Sequence, residues 1–387
     1  MRILHVVPYY LPAWRYGGPI KSVHGLCKAL ANLGHDVHVF TTNIDGPKRL
    51  DVPLEVPVEI GGVKVWYFPS TRLRRLHWSP SMGRALRQQV NSFDILHLHS
   101  IYLWPTTSAA RTARRVGVPY VLAPRGMLVS NLINRKSPWI KKAWITLFER
   151  KNLAHAASVH FTSKFEAEEA AKLGIVFKAA CIIPNGLDSD EIVIGLRDSA
   201  TEFDEILEEC RFLLFIGRVS WEKGLDRLIL ALPRIRDCVL LIAGDDHDGH
   251  QRTLDILATE VGVAHRVRFL GPVYGSRKAA LLRRACALVL PSYSENFGNV
   301  VLEALGAGCP VVVTPEVGAA DIVRETGGGA VIDGHPWALG NAIDELLANP
   351  DALKQMGQRA QSTIVQRYTW PSIAAEMGRV YRSIVAR

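Results

Sequence analysis

Short apolar segments alternate with helical segments along this chain, and the alternation starts twice. In residues 1–187, seven segments have the length and composition of buried strands. They are residues 3–7, 37–41, 63–68, 95–99, 120–123, 158–162 and 180–183. Residues 19–33 have helical periodicity and are followed by Gly34. Strand, helix and strand in this order predict a parallel sheet covered by helices on both faces.

The alternation relaxes after Pro184-Asn185-Gly186 and then begins again. Residues 188–210 are acidic and weakly patterned, which is typical of a connection between domains. Further strands are predicted at 213–216, 239–243, 267–270, 288–291 and 311–314, and helices at 225–232 and 254–260. We therefore expect an α/β protein with an N-terminal domain at 1–187 and a C-terminal domain at 188–367. Both would be doubly wound, with ligands bound in the cleft between them at the carboxyl ends of the strands. Residues 368–387 predict a capped terminal helix, with Pro371 in its first turn.

Composition narrows the class of protein. The chain has 387 residues, of which 48% are hydrophobic and 21% charged, as expected of globular domains. No apolar run reaches the roughly 20 residues that a membrane-spanning helix needs, and the first residues do not form a typical signal peptide. The six cysteines form no Cys-x-x-Cys pair, so neither a disulfide nor a zinc framework is predicted. We expect a cytoplasmic protein.

Positive charge is concentrated in the N-terminal half. Residues 1–187 contain 25 Lys and Arg against 10 Asp and Glu, whereas residues 188–387 contain 21 against 27. This asymmetry indicates an anionic partner. Two segments interleave basic residues with Trp: Arg72, Arg74, Arg75, His77, Trp78, Arg84 and Arg87 in one, and Lys136, Trp139, Lys141, Lys142, Trp144 and Arg150 in the other. The pattern predicts peripheral contact with an anionic membrane at the inner face of the cell membrane. Solvated helix faces are the alternative, and nucleic acid is disfavoured because no RNA-binding motif accompanies the charge.

A glutamate pair in the C-terminal half carries the strongest functional pattern. Glu295 lies in the predicted loop after the strand at 288–291, and Glu303 lies in the apolar start of the next helix. A carboxylate in an apolar run is costly unless it is hydrogen-bonded or solvated, and a ribose diol would satisfy Glu303. Gly298 permits close approach of a ligand to the backbone, and the helix start can bind a diphosphate. A helix with one Glu turned to water is the alternative.

Two further patterns are basic or rich in glycine. Arg218 and Lys223 lie in the loop after the strand at 213–216, where two cations can neutralise a diphosphate leaving group without a metal. Gly17-Gly18 precedes the first helix and can admit a phosphate or a sugar, although a simple turn is the more frequent explanation. The Asp-x-Asp in residues 244–250 resembles a metal site, but acidic loops after strands are common, and we expect no metal.

Taken in order, these segments resemble the family 4 retaining glycosyltransferases of the surface-glycan and exopolysaccharide type. The resemblance rests on Gly17-Gly18, Pro184-Asn185-Gly186, Gly217-Arg218 with Lys223-Gly224, and Glu295 to Glu303 followed by Ala-Leu-Gly-Ala-Gly-Cys-Pro-Val-Val. It covers nearly the whole chain. It implies a GT-B fold, in which two Rossmann-like domains face each other across a cleft and residues 368–387 pack back on the N-terminal domain.

The resemblance also implies a role for each motif. Arg218 and Lys223 would hold the donor diphosphate, Glu303 the ribose and Glu295 the donor sugar. The other residues expected to bind the donor are Gly18, Asn185, Val273, Asn296, Phe297 and Gly298. The donor would be a UDP- or GDP-sugar, no other cofactor is expected, and a glycan or lipid-diphosphate-linked acceptor would lie on the basic half.

One position departs from the family. Many relatives have a His after the strand at 120–123, where this chain has Pro124-Arg125-Gly126-Met127. Arg125 is therefore a candidate contact for a sugar, a phosphate or the acceptor. His99 can face the cleft, whereas His97 is expected to be a hydrogen-bonded core residue. A nucleotide-sugar epimerase, a phosphorylase and a non-catalytic partner subunit are the alternative functions.

Overall fold

The computed structural model describes residues 1–129, 138–188, 211–246 and 249–386, without the side chains of Pro138, Ile140 and Lys142. The acidic connection, Lys136, and the His247-Asp248 part of the Asp-x-Asp loop therefore lie outside the described residues. The chain forms two compact units. Unit 1 comprises Met1–Gly186 and Trp370–Arg387, and unit 2 comprises Leu187–Thr369.

Unit 1 is built on an eight-stranded sheet in the order β10-β9-β8-β7-β1-β2-β6-β5. Its strands are β1 Arg2–Val6, β2 Asp36–Thr42, β5 Pro57–Ile60, β6 Val63–Phe68, β7 Ile95–His99, β8 Tyr120–Ala123, β9 Ser158–Phe161 and β10 Ala180–Ile182. The seven predicted strands are all present and parallel. The prediction missed β5, which pairs antiparallel with β6 at the edge of the sheet, and the small hairpin of β3 Ile44–Asp45 and β4 Lys48–Arg49. These segments are exposed or too short to have an apolar pattern.

Helices cover both faces of this sheet, as a right-handed parallel topology requires. They are α1 Gly18–Asn32, α2 Pro80–Gln89, α3 Trp104–Val116, α4 Pro138–Trp144, α5 Arg150–His155, α6 Lys164–Ala171 and the C-terminal α14 Trp370–Val385. A π-helical segment, Ile145–Glu149, joins α4 to α5. Helix α14 packs against α1 within unit 1, and its Tyr381 is fully buried against the sheet.

Unit 2 repeats the plan with a six-stranded parallel sheet in the order β13-β12-β11-β14-β15-β16. Its strands are β11 Phe212–Ile216, β12 Val239–Ala243, β13 Val267–Gly271, β14 Ala287–Leu290, β15 Val311–Val313 and β16 Gly329–Val331. Its helices are α7 Leu225–Ala231, α8 Gln251–Glu260, α9 Gly275–Arg284, α10 Asn299–Gly306, α11 Ala320–Thr326, α12 Pro336–Leu347 and α13 Pro350–Arg367. The direction in which successive strands are added to the sheet reverses between β11 and β14. Open α/β sheets bind their ligands in the crevice at such a topological switch point.

Candidate active site

The loops that follow β11 and β14 bring the predicted donor residues of unit 2 together. After β11, Gly217 donates its N–H to the Ala243 carbonyl at 3.0 Å, which holds this loop against the end of β12. The following turn ends at Gly224, whose φ is +66°. A Cβ at Gly224 would lie 2.1 Å from the Pro291 carbonyl oxygen, so only glycine lets the two loops approach this closely.

Lys223 and Glu295 form an ion pair between these loops, although 72 residues separate them in sequence. Both side chains are largely buried, so the charges are less screened by water than those of a surface pair. Arg218 differs: its side chain is 66% exposed, and its guanidinium lies 3.8 Å from the Glu222 carboxylate. A mostly solvated cation beside a buried ion pair can bind a ligand anion at little cost in desolvation.

Backbone hydrogen bonds fix the loop that carries Glu295. Its N–H donates to the Glu316 carbonyl at 3.0 Å, and its own carbonyl accepts from Gly318 at 2.9 Å. The Phe297 carbonyl accepts from the Ala319 N–H at 2.8 Å, while the Phe297 side chain is buried in the core. Glu295 is therefore held on a rigid segment of the backbone.

Helix α10 begins immediately after Gly298, which has a φ of +85° and caps the helix. Its first residue is Asn299, and Asn296 precedes the cap. The backbone N–H groups of a first helical turn have no partner within the helix and carry a partial positive charge. Gly298 thus ends a rigid loop where N–H groups can bind a phosphate.

Glu303 lies on α10 and forms an ion pair with Lys278 of α9. The two side chains are only 12% and 17% exposed, respectively. The prediction that Glu303 needs a partner is met by a residue that the sequence pattern did not identify. A lysine inside an amphipathic helix has no local feature that points to a glutamate 25 positions later, so no sequence signal would have found it.

The remaining predicted residues of unit 2 have structural roles that limit their use. Val273 is 7% exposed and packs in the core, so only its backbone is available to a nucleotide. The Asp246 carboxylate accepts from the His250 and Gln251 N–H groups at 2.8 and 3.2 Å, which ties this acid to the start of α8.

Three further residues near the same loops were not predicted as site residues from the sequence. The Tyr293 hydroxyl donates to the Asp226 carboxylate at 2.7 Å, and the Arg227 guanidinium lies over the Tyr293 ring, 3.6 Å from its centroid. Arg227 also donates to the Pro291 and Ser292 carbonyls at 3.2 and 3.4 Å. This cluster locks the end of β14 to α7 and so supports the Lys223–Glu295 pair. No spacing rule connects Asp226 with Tyr293.

In unit 1, the Gly17-Gly18 pair begins α1 as predicted. Gly17 has a φ of +66° and is the N-cap, and Gly18 is the first helical residue. Within the described part of the chain, no heavy atom lies within 4 Å of the position that a Gly17 Cβ would take. The positive φ, and not a lack of space, is therefore what favours glycine at this position.

Arg125 lies at the carboxyl end of β8 in a left-handed backbone conformation, with a φ of +56°. Its Nη1 donates to Asn185 Oδ1 at 3.0 Å, and its Nη2 donates to His99 Nδ1 at 3.3 Å. Asn185 is thereby engaged inside unit 1. His99 is 1% exposed, because β7 is a central strand covered on both faces. Its contact with Arg125 places it behind that residue, and a direct contact of His99 with a ligand stays a prediction.

Four buried histidines form a hydrogen-bonded network next to Arg125. The Nε2 of His160 bonds to the Ile183 carbonyl at 2.8 Å and must donate, so Nδ1 of His160 accepts from His97 Nε2 at 3.3 Å. His97 Nδ1 then accepts from the Tyr381 hydroxyl at 2.6 Å. By the same logic, His99 accepts from Arg125 and donates through Nε2 to His5 Nδ1 at 3.0 Å. If the four rings are neutral, as their lowered pKa values indicate, these contacts fit the Nε2–H tautomer of each ring.

Burial explains why these rings are neutral. Burial lowers the pKa of His5 to about 3, with a further contribution from the Arg125 charge. Burial and Arg125 also lower the pKa of His160 to about 3. The pKa values of His97 and His99 are well below the usual value, again mainly through burial. The expectation that His97 is a hydrogen-bonded core residue agrees with its contacts.

His5, His97 and His99 also meet the geometric condition for a shared metal ion, since one nitrogen from each lies within 4.8 Å of the others. Neutral imidazole is a metal ligand. However, the lone pairs of His99 and His5 accept from Arg125 and His99, and the guanidinium charge would repel a cation. The group is better described as a hydrogen-bonded network than as a metal centre.

The basic segments of unit 1 are only partly available to a partner. Arg74 donates to the Gly46, Pro47 and Lys48 carbonyls, and His77 is buried against Thr42. Arg74 anchors the β3–β4 hairpin, and His77 is held against the end of β2, so neither is fully available to a partner. In the second segment Trp139 is 84% and Leu147 67% exposed, while Trp144 donates to the buried Glu149 carboxylate at 2.9 Å. No described helix is both long and apolar enough to span a membrane.

Comparison with known proteins matches both units. A family described as "Glycosyl transferase 4-like domain" matches residues 17–186, and one described as "Glycosyl transferases group 1" matches residues 198–363. D-inositol 3-phosphate glycosyltransferase 2 of Catenulispora acidiphila is 34% identical and covers 98% of this chain and 94% of its own length. An uncharacterised glycosyltransferase of Methanocaldococcus jannaschii is 28% identical, with 95% and 96% covered.

Solved structures share the fold. Sucrose-phosphate synthase from Thermosynechococcus elongatus superposes with a TM-score of 0.76 at 22% identity, and covers 100% of this chain and 99% of its own. The Anabaena protein HepE in complex with UDP-glucose superposes with a TM-score of 0.73 at 19% identity, with 99% and 100% covered. These likenesses extend over both units.

Proposed function

The chain belongs to the family 4 type of GT-B glycosyltransferases, and we propose that it moves a sugar, with retention of anomeric configuration, from a UDP- or GDP-sugar to a glycan or lipid-linked acceptor in polysaccharide biosynthesis. The observation that carries this proposal is the grouping of Lys223, Glu295 and Arg218 at the switch point of unit 2, with Glu303 on the adjoining helix. Complexes of the similarly folded HepE contain UDP-glucose, which supports a nucleotide-sugar donor.

Donor binding is proposed to use unit 2. The solvated Arg218 and the largely buried Lys223 supply two positive charges for the diphosphate. The N-terminus of α10, with Asn296, Phe297 and Gly298 leading into it, offers backbone groups to phosphate and sugar. Glu303 accepts hydrogen bonds from the ribose diol, and Glu295 from the transferred sugar.

The proposed reaction needs no protein nucleophile. The acceptor hydroxyl forms the new bond to the anomeric carbon on the face from which the diphosphate leaves, as the bond to the phosphate oxygen breaks. The hydroxyl proton passes to that phosphate oxygen. Arg218 and Lys223 stabilise the charge that develops on the leaving diphosphate, and positioning supplies the remaining rate enhancement. These cations do the work that a divalent metal does in other transferases, so we propose that no metal is needed.

The acceptor is proposed to bind unit 1, at the carboxyl ends of its strands. Arg125, the candidate acceptor contact, lies next to the carboxyl end of β8, while Gly18 and Asn185 are proposed to contact the donor. The exposed Trp139 and Leu147, followed by the exposed Arg150 and Lys151, favour a peripheral membrane contact that would bring a lipid-linked acceptor to this unit.

A transfer assay tests the proposal. The purified chain is incubated with UDP- and GDP-sugars and with acceptor glycans or lipid-diphosphate acceptors, and the anomeric configuration of the product is read by NMR. We expect transfer with retention. Inversion contradicts the mechanism. Epimerised donor formed without acceptor indicates an epimerase, and dependence on inorganic phosphate indicates a phosphorylase.

A binding assay tests the membrane contact. Vesicles with anionic lipid should sediment the wild-type chain at low salt, and the double change Trp139→Ala with Leu147→Ala should reduce the bound fraction several-fold. Trp337→Ala is the matched control and should bind as the wild type does, because Trp337 is also exposed but lies in unit 2. Equal sedimentation of wild type and double variant contradicts the contact.

A further inference from the structure

We propose that Arg125 binds a carboxylate or phosphate group carried by one of the two sugar substrates, the transferred sugar or the acceptor. This inference rests on the proposed function, because it specifies the chemical class of a substrate of that reaction.

The direct partners of the Arg125 cation are neutral. Nη1 donates to the Asn185 amide oxygen at 3.0 Å, and Nη2 to the neutral His99 ring at 3.3 Å. Nε is buried and has no partner within the described part of the chain. Arginine matches a carboxylate or phosphate through two parallel N–H groups, and no described carboxylate makes that contact here.

Glu166 is the acid that acts electrostatically on Arg125, but its oxygens are used elsewhere. One oxygen accepts from the Gly126 N–H at 2.6 Å. The other accepts from the Thr162 N–H at 2.8 Å and from its hydroxyl at 2.9 Å. Glu166 therefore fixes the turn that carries Arg125 and leaves the guanidinium without a bonded counterion.

The hydrogen-bond network behind Arg125 adds no negative charge either. His99, His5, His97 and His160 are neutral, and Tyr381 has its pKa raised well above the usual value by burial, so it is also neutral. A half-buried cation with only neutral partners destabilises a folded protein. A substrate anion would remove that cost.

The position of Arg125 suits contact with a substrate. It lies two residues after β8, at the carboxyl edge of the unit 1 sheet, where doubly wound folds bind their ligands. Its φ of +56° is unfavourable for a residue with a long side chain. Backbone strain of this kind is concentrated at ligand-binding positions, and here the Glu166–Gly126 hydrogen bond maintains it.

Substrate pairs that differ only in the anion provide the test. In the donor arm, binding of UDP-glucose is compared with UDP-glucuronic acid, and GDP-mannose with GDP-mannuronic acid, by calorimetry. In the acceptor arm, transfer to neutral saccharides is compared with transfer to the same saccharides carrying a uronic acid or a phosphate. We expect a roughly 10–100-fold preference for the anionic partner in one arm, as lost charge-assisted hydrogen bonds imply.

Variants separate a role in recognition from a role in folding. Arg125→Gln should abolish the preference while binding of UDP or GDP alone is unchanged, and Arg125→Lys should retain part of it. Arg114→Gln is the matched control, because Arg114 also donates to an asparagine oxygen, that of Asn152 at 2.9 Å. Arg125→Gln removes a cation that has no hydrogen-bonded counterion. The melting temperature of this variant without ligand should therefore equal or exceed that of the wild type, which a purely structural arginine would not allow.

Three results overturn the inference. In the first, the protein transfers sugar but prefers the neutral substrate, or uses both substrates equally well, in both arms. That result leaves the proposed function intact. The anionic preference can persist in Arg125→Gln, which assigns it to another residue. Absence of both nucleotide binding and transfer with every donor refutes the proposed function itself, and this inference with it.

Discussion

Lys278 of α9 and Glu303 of α10 form a largely buried ion pair beside the strand ends of unit 2. A buried carboxylate that keeps a single cationic partner is held in one orientation, which is what recognition of a ribose diol would require. The pair also explains how Glu303 remains in an otherwise apolar stretch of helix without destabilising it. Its cost in desolvation is offset only while both partners are present.

Removing Lys278 should weaken donor binding even though it is not one of the predicted donor contacts. We expect Lys278→Gln to reduce nucleotide-sugar affinity about tenfold, because Glu303 is then free to change rotamer and is left unpaired. Lys354→Gln, which changes an exposed lysine on α13, should leave the affinity unchanged. The measurement is calorimetric titration with the preferred donor. A Lys278→Gln protein that binds donor as the wild type does would show that the pair is only structural.

Replacing Gly224 should displace the loop that carries Lys223. Gly224→Ala places a Cβ 2.1 Å from the Pro291 carbonyl and also strains a φ of +66°. We expect the free energy of unfolding to fall by at least ~1–2 kcal/mol from the left-handed conformation alone. Transfer activity should fall as well, because the loop that carries Lys223 is displaced. Gly262→Ala is the control, since its φ is +75° but nothing lies within 4 Å of the new Cβ. Equal chemical denaturation midpoints for the two variants would contradict the close contact.

Acid should destabilise unit 1 through its buried histidines. Their pKa values are lowered in the folded state, to about 3 for His5 and His160, because burial disfavours the charged ring. The unfolded chain therefore binds more protons between pH 6.5 and 3. Stability is fully present above pH 6.5 and falls as the pH decreases through this range. At pH 5 the loss is at most ~2 kcal/mol for each histidine.

Urea unfolding at pH 7.5 and pH 5 measures this effect. We expect the transition of wild-type unit 1 to shift to lower urea at pH 5. His160→Gln should be less stable at pH 7.5 and should shift less between the two pH values. A wild-type transition that does not move between pH 7.5 and 5 would mean that these rings are not held neutral.

Cys286 should be the most reactive thiol among the described cysteines. A hydrogen bond from Cys238, together with the Arg211 guanidinium, lowers its pKa despite burial, which acts in the opposite sense. Burial raises the pKa of Cys309 to about 12. Because the thiolate is the nucleophile, brief treatment with iodoacetamide at pH 7 should alkylate Cys286 before Cys309, as read by peptide mass spectrometry. The change Cys238→Ala, which removes the donor, should slow this alkylation, and preferential labelling of Cys309 would refute the assignment.

The parallel strands were predictable because their apolar runs are uninterrupted, as in Leu213 to Phe215. The π-helical segment and the edge strand β5 were not, since their residues are half-exposed and lack a clean period. Glu295 and Lys223 were predicted as separate motifs, yet their ion pair depends on two loops that meet only in the folded sheet. The same holds for the histidines, because strand register brings His5 beside His97, which no spacing in the sequence encodes.

The donor affinities of the wild type and of Glu303→Ala test whether Glu303 binds the nucleotide-sugar. Each is titrated by calorimetry with a panel of UDP- and GDP-sugars, and Glu345→Ala, an exposed glutamate of α12, serves as the control. We expect the wild type and Glu345→Ala to bind one donor equally and Glu303→Ala to bind it at least tenfold more weakly. Unchanged affinity in Glu303→Ala, or a wild type that binds none of the donors, would contradict this prediction.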